Sequence, residues 1–307
     1  MTKNKPEWEG KSRGGVIGYK IFIFILRQFG LGTAYFVLAF VALYFIPFAP
    51  KASRYSYLYF RKIHNYSIPK AFASVYLNYY VFGQTLIDKF ALLAGIKTKL
   101  TFELDGVENL HQLAADKKGG ILISAHCGNW DIAGELLNDI DAKIHIIMYQ
   151  AEHERIKNLM EKIKIKNTEN DRVNIIPISD DLSHILLLNQ ATENKDILCL
   201  HGDRIPPGSK TFEFDFMGHK ANLPTGPFYI AAKYKLPVSF VFSFKEGFNH
   251  YHLYASKPKI YEVKGSPNER NEMLRALIQD YVNAVEEKVK KYPLQWFNYF
   301  KFWQDIG

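Results

Sequence analysis

The chain has 307 residues, 48% of them hydrophobic, which is enough for one large core and does not by itself require a second. Its formal net charge of +8 suits an anionic membrane surface or an acidic carrier protein. The basic residues are scattered among Phe and Tyr, with no zinc-finger spacing and no basic helix, which argues against nucleic acid, and the two cysteines, Cys127 and Cys199, are too few for a disulfide framework and indicate a reducing compartment.

Residues 1–15 are polar and read as a leader. Lys11 and Arg13 precede an apolar stretch interrupted by Lys20 and Arg27, and from Gln28 to Pro50 no charge occurs. That run is long enough to cross a bilayer or to lie embedded in its surface, and Trp8, Tyr19, Tyr35 and Tyr44 supply interfacial aromatics; the alternative is a buried core helix. A cleaved signal peptide fits less well, because the uncharged run begins late and no small-x-small site follows it. Lys51, Arg54, Arg61 and Lys62 put basic residues at the far end too, so charge asymmetry gives little orientation. The expected organisation is a leader and membrane-associated helix over residues 1–50 and one domain over 51–307.

From Ser53 to Leu93 the pattern is helical, with a stripe of Tyr76, Tyr79, Tyr80, Phe82, Leu86, Ile87, Phe90 and Leu93 that reads as core and as a continuation of a membrane-facing surface. Strands are predicted at Leu100–Leu104, Gly120–Ala125, Ile144–Met148, Asn174–Ile178, Ile197–Leu200 and Val238–Phe244, with helical patterns between most of them. A closing helix runs from Asn268 to about Lys291 on Leu274, Leu277, Ile278, Tyr281, Val282, Val285 and Val289. This alternation predicts an α/β fold, a central mostly parallel or mixed sheet flanked by helices, with ligands at the carboxyl ends of the strands.

The run Gly119-Gly-Ile-Leu-Ile-Ser-Ala-His-Cys-Gly-Asn-Trp-Asp-Ile-Ala133 carries the chemistry. A buried strand turns at His126–Asn129 into a helix opening at Trp130. His126 can take a proton from a hydroxyl or amine, and Asp131, in the first helical turn, is the expected carboxylate to hold its ring and stabilise the imidazolium. Helix capping alone would also explain Asn129 and Asp131. The turn amides of Gly128 and Asn129 are candidates to hold a developing oxyanion. Asp203, like His126, lies just past a strand, so the two can converge on one sheet edge. No Gly-x-Ser-x-Gly elbow occurs, Cys127 reads as a small apolar residue, and a metal is not expected: His126 has no second ligand at useful spacing, and His153-Glu154 lacks the second His of a zinc protease motif.

The block around His126 resembles the His-x4-Asp/Glu motif, in the form His-x-Gly-Asn-Trp-Asp/Glu, of the lysophospholipid acyltransferase superfamily, and specifically its lipid A biosynthesis (late) acyltransferase branch. Leu200-His-Gly-Asp-Arg204, Phe214-Asp-Phe-Met-Gly218, Leu223-Pro-Thr-Gly-Pro-Phe-Tyr-Ile-Ala-Ala232 with Leu236-Pro-Val238, and Tyr292-Pro-Leu-Gln-Trp296 resemble that branch's further blocks in family order, from about residue 15 to the end. The departure is Asp131, where many of its members carry Glu. The resemblance implies a glycerolipid acyltransferase-like fold and an enzyme that moves a fatty acyl chain from an acyl carrier protein or coenzyme A thioester to a hydroxyl or amine of a lipid A precursor or related glycolipid. It implies the cytoplasmic face of a bacterial inner membrane, with no cofactor beyond the donor. Site residues so implied are His126 and Asp131 for catalysis, and Gly128, Asn129, Trp130, Asp203, Arg204, Gly218, Thr225 and Gly226 around the substrate, with Arg204 suited to phosphate. Polyene pigments and aminolipids are alternative acceptors, and a non-catalytic membrane protein that binds acyl carriers is the alternative class.

Overall fold

A computed structural model describes residues 16–306 apart from 97, 117, 138, 139, 141, 150–172, 179–182, 207 and 263–265. The leader with Trp8, Lys11 and Arg13, and the pair His153-Glu154, lie outside the described residues. Helix α1 (Val16–Phe48) is broken at Gly30, whose φ of 78° is open to glycine. One face of α1 packs Leu26, Ala34, Tyr35 and Leu38 against Ile87 and Ala91. The other leaves Phe24, Phe29, Phe36, Phe40 and Phe48 exposed, and Gly18–Phe48 is long and apolar enough to cross a membrane.

The single helical region expected over Ser53–Leu93 is divided. Helix α2 (Pro50–Leu58) runs into one π-helical turn (Tyr59–Ile63), and α3 (Ile68–Leu93) restarts with Pro69 in its first turn. A proline there fits the start of a helix and cannot continue one, so the chain breaks before it.

The strands are β1 (Thr101–Asp105), β2 (Gly120–Ser124), β3 (Ile144–Tyr149), β4 (Val173–Ile178), β5 (Ile197–His201), β6 (Thr211–Phe216), β7 (His219–Pro224), β8 (Val238–Lys245) and β9 (His250–Ala255). Seven of them form one sheet in the order β1-β9-β8-β2-β5-β3-β4, and β6 and β7 form a separate hairpin. All neighbours in the large sheet are parallel except β8 and β9. Every residue of β2 and β8 is buried, as the centre of a sheet covered on both faces requires, whereas β1, at an edge, is exposed.

All six predicted strands are present. The three that sequence reasoning missed are β9, whose Tyr- and His-rich run does not read as apolar, and the hairpin, whose Thr-Phe-Glu-Phe-Asp-Phe alternation buries every second residue. Between the strands lie α4 (Val107–Ala115), α5 (Trp130–Ala133), α6 (Ser183–Glu193) and α7 (Gly226–Tyr234). The closing helix α8 (Pro267–Lys291) opens on a capping box between Ser266 and Glu269 and buries the predicted stripe from Leu274 to Val289.

Candidate active site

Strands β2 and β5 are parallel neighbours with Ser124 opposite His201. Two residues beyond each of these, at the carboxyl edge of the sheet, His126 and Asp203 meet. The Nδ1 of His126 lies 2.7 Å from one Asp203 carboxylate oxygen, and the His126 main-chain N–H donates to the other at 3.0 Å. Asp203 is buried, while the His126 side chain keeps 19% exposure. With Nδ1 engaged, Nε2 is the ring nitrogen left to accept a proton, and the carboxylate stands where it stabilises the imidazolium. Burial alone would raise the Asp203 carboxyl, but the charge and hydrogen bond of His126 and the charge of Arg204 hold it below the ordinary carboxylate range.

The carboxylate expected in this role was Asp131. Its oxygen instead lies 2.7 Å from Lys89 Nζ of α3, because α5 carries it toward that helix. The turn amides are also committed elsewhere: Gly128 N–H donates to the Gln295 carbonyl at 2.8 Å and Asn129 N–H to the Ser243 carbonyl at 2.7 Å. Neither amide is free to face an oxyanion, which corrects that expectation. Gly128 is required here, since its φ is +62° and a Cβ would sit 1.9 Å from the Ser243 carbonyl oxygen.

The terminal segment locks the turn in place. Cys127 and Trp296 form an antiparallel bridge, and Phe297 N–H donates to the His126 carbonyl at 3.1 Å. The buried Asn298 amide donates to Asp203 Oδ2 at 3.4 Å. Gln295 donates from its side chain to the Lys245 carbonyl at 2.8 Å and accepts from the Lys245 N–H at 2.9 Å. Lys89, Gln295 and Asn298 were not recognised in the sequence as site residues; the Tyr292–Trp296 block was the one available signal, and only for Gln295. Burial, and then the charge of Asp203, push the Cys127 thiol far above its usual range, which disfavours the thiolate that a nucleophilic role needs.

His201 packs on His126 with ring centroids 4.4 Å apart and meets the edge of Trp130 at 5.0 Å. Burial, followed by the positive neighbours His126, Arg204 and Lys89 and opposed by Asp203, pushes its pKa down to about 3. Arg204 lies over the Phe300 ring at 4.8 Å and Lys89 over Trp130 at 5.0 Å, so two cations flank the pair. Donor atoms of His126, His201 and Asp203 lie within 4.8 Å of one another. The fold thus supplies the second histidine that sequence spacing did not. Yet His126 Nδ1 and Asp203 Oδ1, at 2.7 Å, stand at hydrogen-bond length, closer than the roughly 3.3 Å that two donors about 2.0–2.1 Å from one tetrahedral zinc would keep.

A histidine held neutral and a carboxylate held ionised both bind fewer protons folded than unfolded, so stability is full above about pH 6.5 and falls as the pH drops. His201→Gln should flatten the decline in melting temperature between about pH 6.5 and 4.5. The slope should shrink without vanishing, because His64 is also pushed down to about 4, chiefly by burial and then by Lys70. A profile parallel to wild type would mean that His201 takes up its proton at the same pH in the fold as in the unfolded chain.

The remaining expected residues serve backbone geometry. Gly218 turns the β6–β7 hairpin with a φ of 79°, and Thr225, at the N-cap position of α7 and followed by Gly226, makes no capping bond; its hydroxyl donates to the Lys210 carbonyl at 3.2 Å.

Residues 75–305 match the family model of bacterial lipid A biosynthesis acyltransferases. No curated protein matches significantly. A solved structure with similarity is the 1-acyl-sn-glycerophosphate (LPA) acyltransferase PlsC from Thermotoga maritima, at 14% identity and a TM-score of 0.35, covering 81% of this chain and 96% of that one. With the family model spanning well over half of the sequence and every element that builds the His126 edge from β1 onward, the chain belongs to the bacterial lipid A biosynthesis acyltransferase family and is an acyltransferase.

Proposed function

We propose that the protein transfers a fatty acyl chain from an acyl carrier thioester directly to a hydroxyl or amine of a membrane glycolipid related to a lipid A precursor. The observation that carries this reading is the His126–Asp203 pair at the carboxyl edge of the sheet. The acceptor oxygen or nitrogen attacks the thioester carbonyl carbon while its proton passes to His126 Nε2. The tetrahedral intermediate collapses with cleavage of the carbon–sulfur bond, and the imidazolium returns the proton to the leaving thiolate. Asp203 stabilises the imidazolium between these steps. Arg204 is the cation we assign to a phosphate, either on the donor's phosphopantetheine arm or on the acceptor, since a guanidinium matches phosphate oxygens, whereas Lys89 is engaged by Asp131 at 2.7 Å. No step is assigned to a metal, and a chelator should leave the rate unchanged.

The exposed phenylalanines of α1 support work at a membrane face, and the basic balance of the chain supports attraction to anionic lipid and to an acidic carrier protein. We place the site on the cytoplasmic side of an inner membrane, where carrier thioesters and reduced cysteines coexist. Full-length protein should fractionate with membranes and resist a high-salt wash, because salt screens surface charge beyond about 10 Å at 0.1 M and leaves apolar insertion intact. Recovery as a soluble, monodisperse protein without detergent would contradict an embedded helix. The acceptor is found by incubating purified protein with acyl carrier or coenzyme A thioesters and a total lipid extract. A lipid gaining the mass of the acyl chain is expected; donor binding without turnover would favour a carrier-binding protein instead.

A further inference from the structure

A buried ionic network joins the apolar helix α1 to the turn that carries His126. At its centre Asp88 of α3 has no solvent exposure. Its carboxylate accepts from Tyr35 of α1 at 2.5 Å, Tyr251 of β9 at 2.5 Å and Lys245 Nζ at the end of β8 at 2.8 Å. All three donors are buried. Such a pair is weak evidence for stability, since desolvation offsets its attraction, and its best-supported use is to fix one geometry.

Two routes lead from Asp88 to the turn. The Asn129 side-chain amide donates to the Tyr251 hydroxyl at 3.3 Å and to the Thr85 carbonyl of α3 at 3.0 Å. The main chain of Lys245 brackets the Gln295 side chain, and the Gln295 carbonyl accepts from Gly128. Both residues just after Cys127 therefore rest on groups that Asp88 organises. On α1, the residue after Tyr35 is the exposed Phe36, so the face that meets Asp88 and the face that meets the surroundings lie on one helical turn.

We propose that Tyr35 is a positioning residue for acyl transfer: by donating to Asp88 it makes the seating of α1 part of the geometry of the His126 turn. The helix with the apolar outer face then governs turnover at the site as well as where the protein resides. Only the turnover part rests on the acyl-transfer reading.

The test is Tyr35→Phe in the full-length chain in detergent micelles, a change that removes one hydroxyl and leaves Lys245 and Tyr251 on Asp88. Loss of one hydrogen bond corresponds to about a three- to tenfold change, so amide exchange at residues 126–131 should rise by that factor. The kcat should fall by about tenfold while KM for donor and acceptor stays unchanged, as expected for a displaced base. Tyr251→Phe should raise exchange at the same amides and also in α1 around Tyr35, and the double variant should lose less kcat than the product of the single losses. Exchange that changes only in α1 and α3, an unchanged kcat, or multiplicative losses would each overturn the coupling. Should the wild type turn over no donor, the acyl-transfer reading fails, and the exchange measurement still decides whether α1 is coupled to the turn.

Discussion

Replacement of His126 by Ala should lower acyl transfer by a factor of about 10² to 10⁴, the usual effect of removing a general base. The fold should survive, because the ring sits in a turn with 19% exposure and outside the apolar stripes of β2 and α5. The variant does leave Asp203 buried with one fewer partner, but the carboxylate keeps the main-chain N–H of residue 126 and the Asn298 amide. A modest drop in melting temperature is therefore expected alongside a nearly complete loss of rate. Steady-state kinetics with both substrates saturating, set beside thermal unfolding, checks this. Turnover at the wild-type rate would remove His126 from the mechanism.

The second large effect separates two carboxylates. Asp203→Asn keeps the shape of the side chain but removes the charge that stabilises the imidazolium and selects the tautomer, and a loss of up to about 10⁴ in kcat is expected by analogy with other oriented histidines. Asp131→Asn breaks the contact with Lys89 Nζ at 2.7 Å, a pair with side-chain exposures of 14% and 24%, and should cost less than about tenfold. Comparing kcat for the two variants at equal fractions folded decides the assignment. A larger loss in Asp131→Asn than in Asp203→Asn would return Asp131 to the role of partner for His126.

Much of this arrangement was legible in the sequence, and what was not depended on distant parts of the chain. That His126 and Asp203 follow buried strands, and so share an edge, came from the apolar runs Ile121–Ala125 and Ile197–Leu200. Which carboxylate takes the ring came from register: Ser124 opposite His201 is a fact about pairing that neither segment contains alone. Asp131 was favoured because it is near in sequence, whereas Lys89, its actual partner, comes from α3 on the far side of β1 and α4. The Gly128 and Asn129 amides looked available because helix starts expose unpaired N–H groups. They are satisfied by carbonyls of Gln295 and Ser243, which reach the turn through the closing segment and β8. The apolar run from Gln28 to Pro50 was legible as a long helix, but the outward Phe36 and the inward Tyr35 could be told apart only once α3 supplied Asp88. Likewise β9 was hidden because its burial comes from α4 and β8 rather than from an apolar composition.

In the proposed direct transfer, His126 activates the acceptor and no acyl group rests on the protein. Intact-mass spectrometry on one incubation separates direct transfer from an acyl-protein route: purified protein with a carrier thioester, sampled before and after the acceptor lipid is added. An unchanged protein mass is expected throughout, with a lipid heavier by one acyl chain once acceptor is present. A protein adduct of acyl mass that forms without acceptor and is chased into lipid product on its addition would rule out direct transfer.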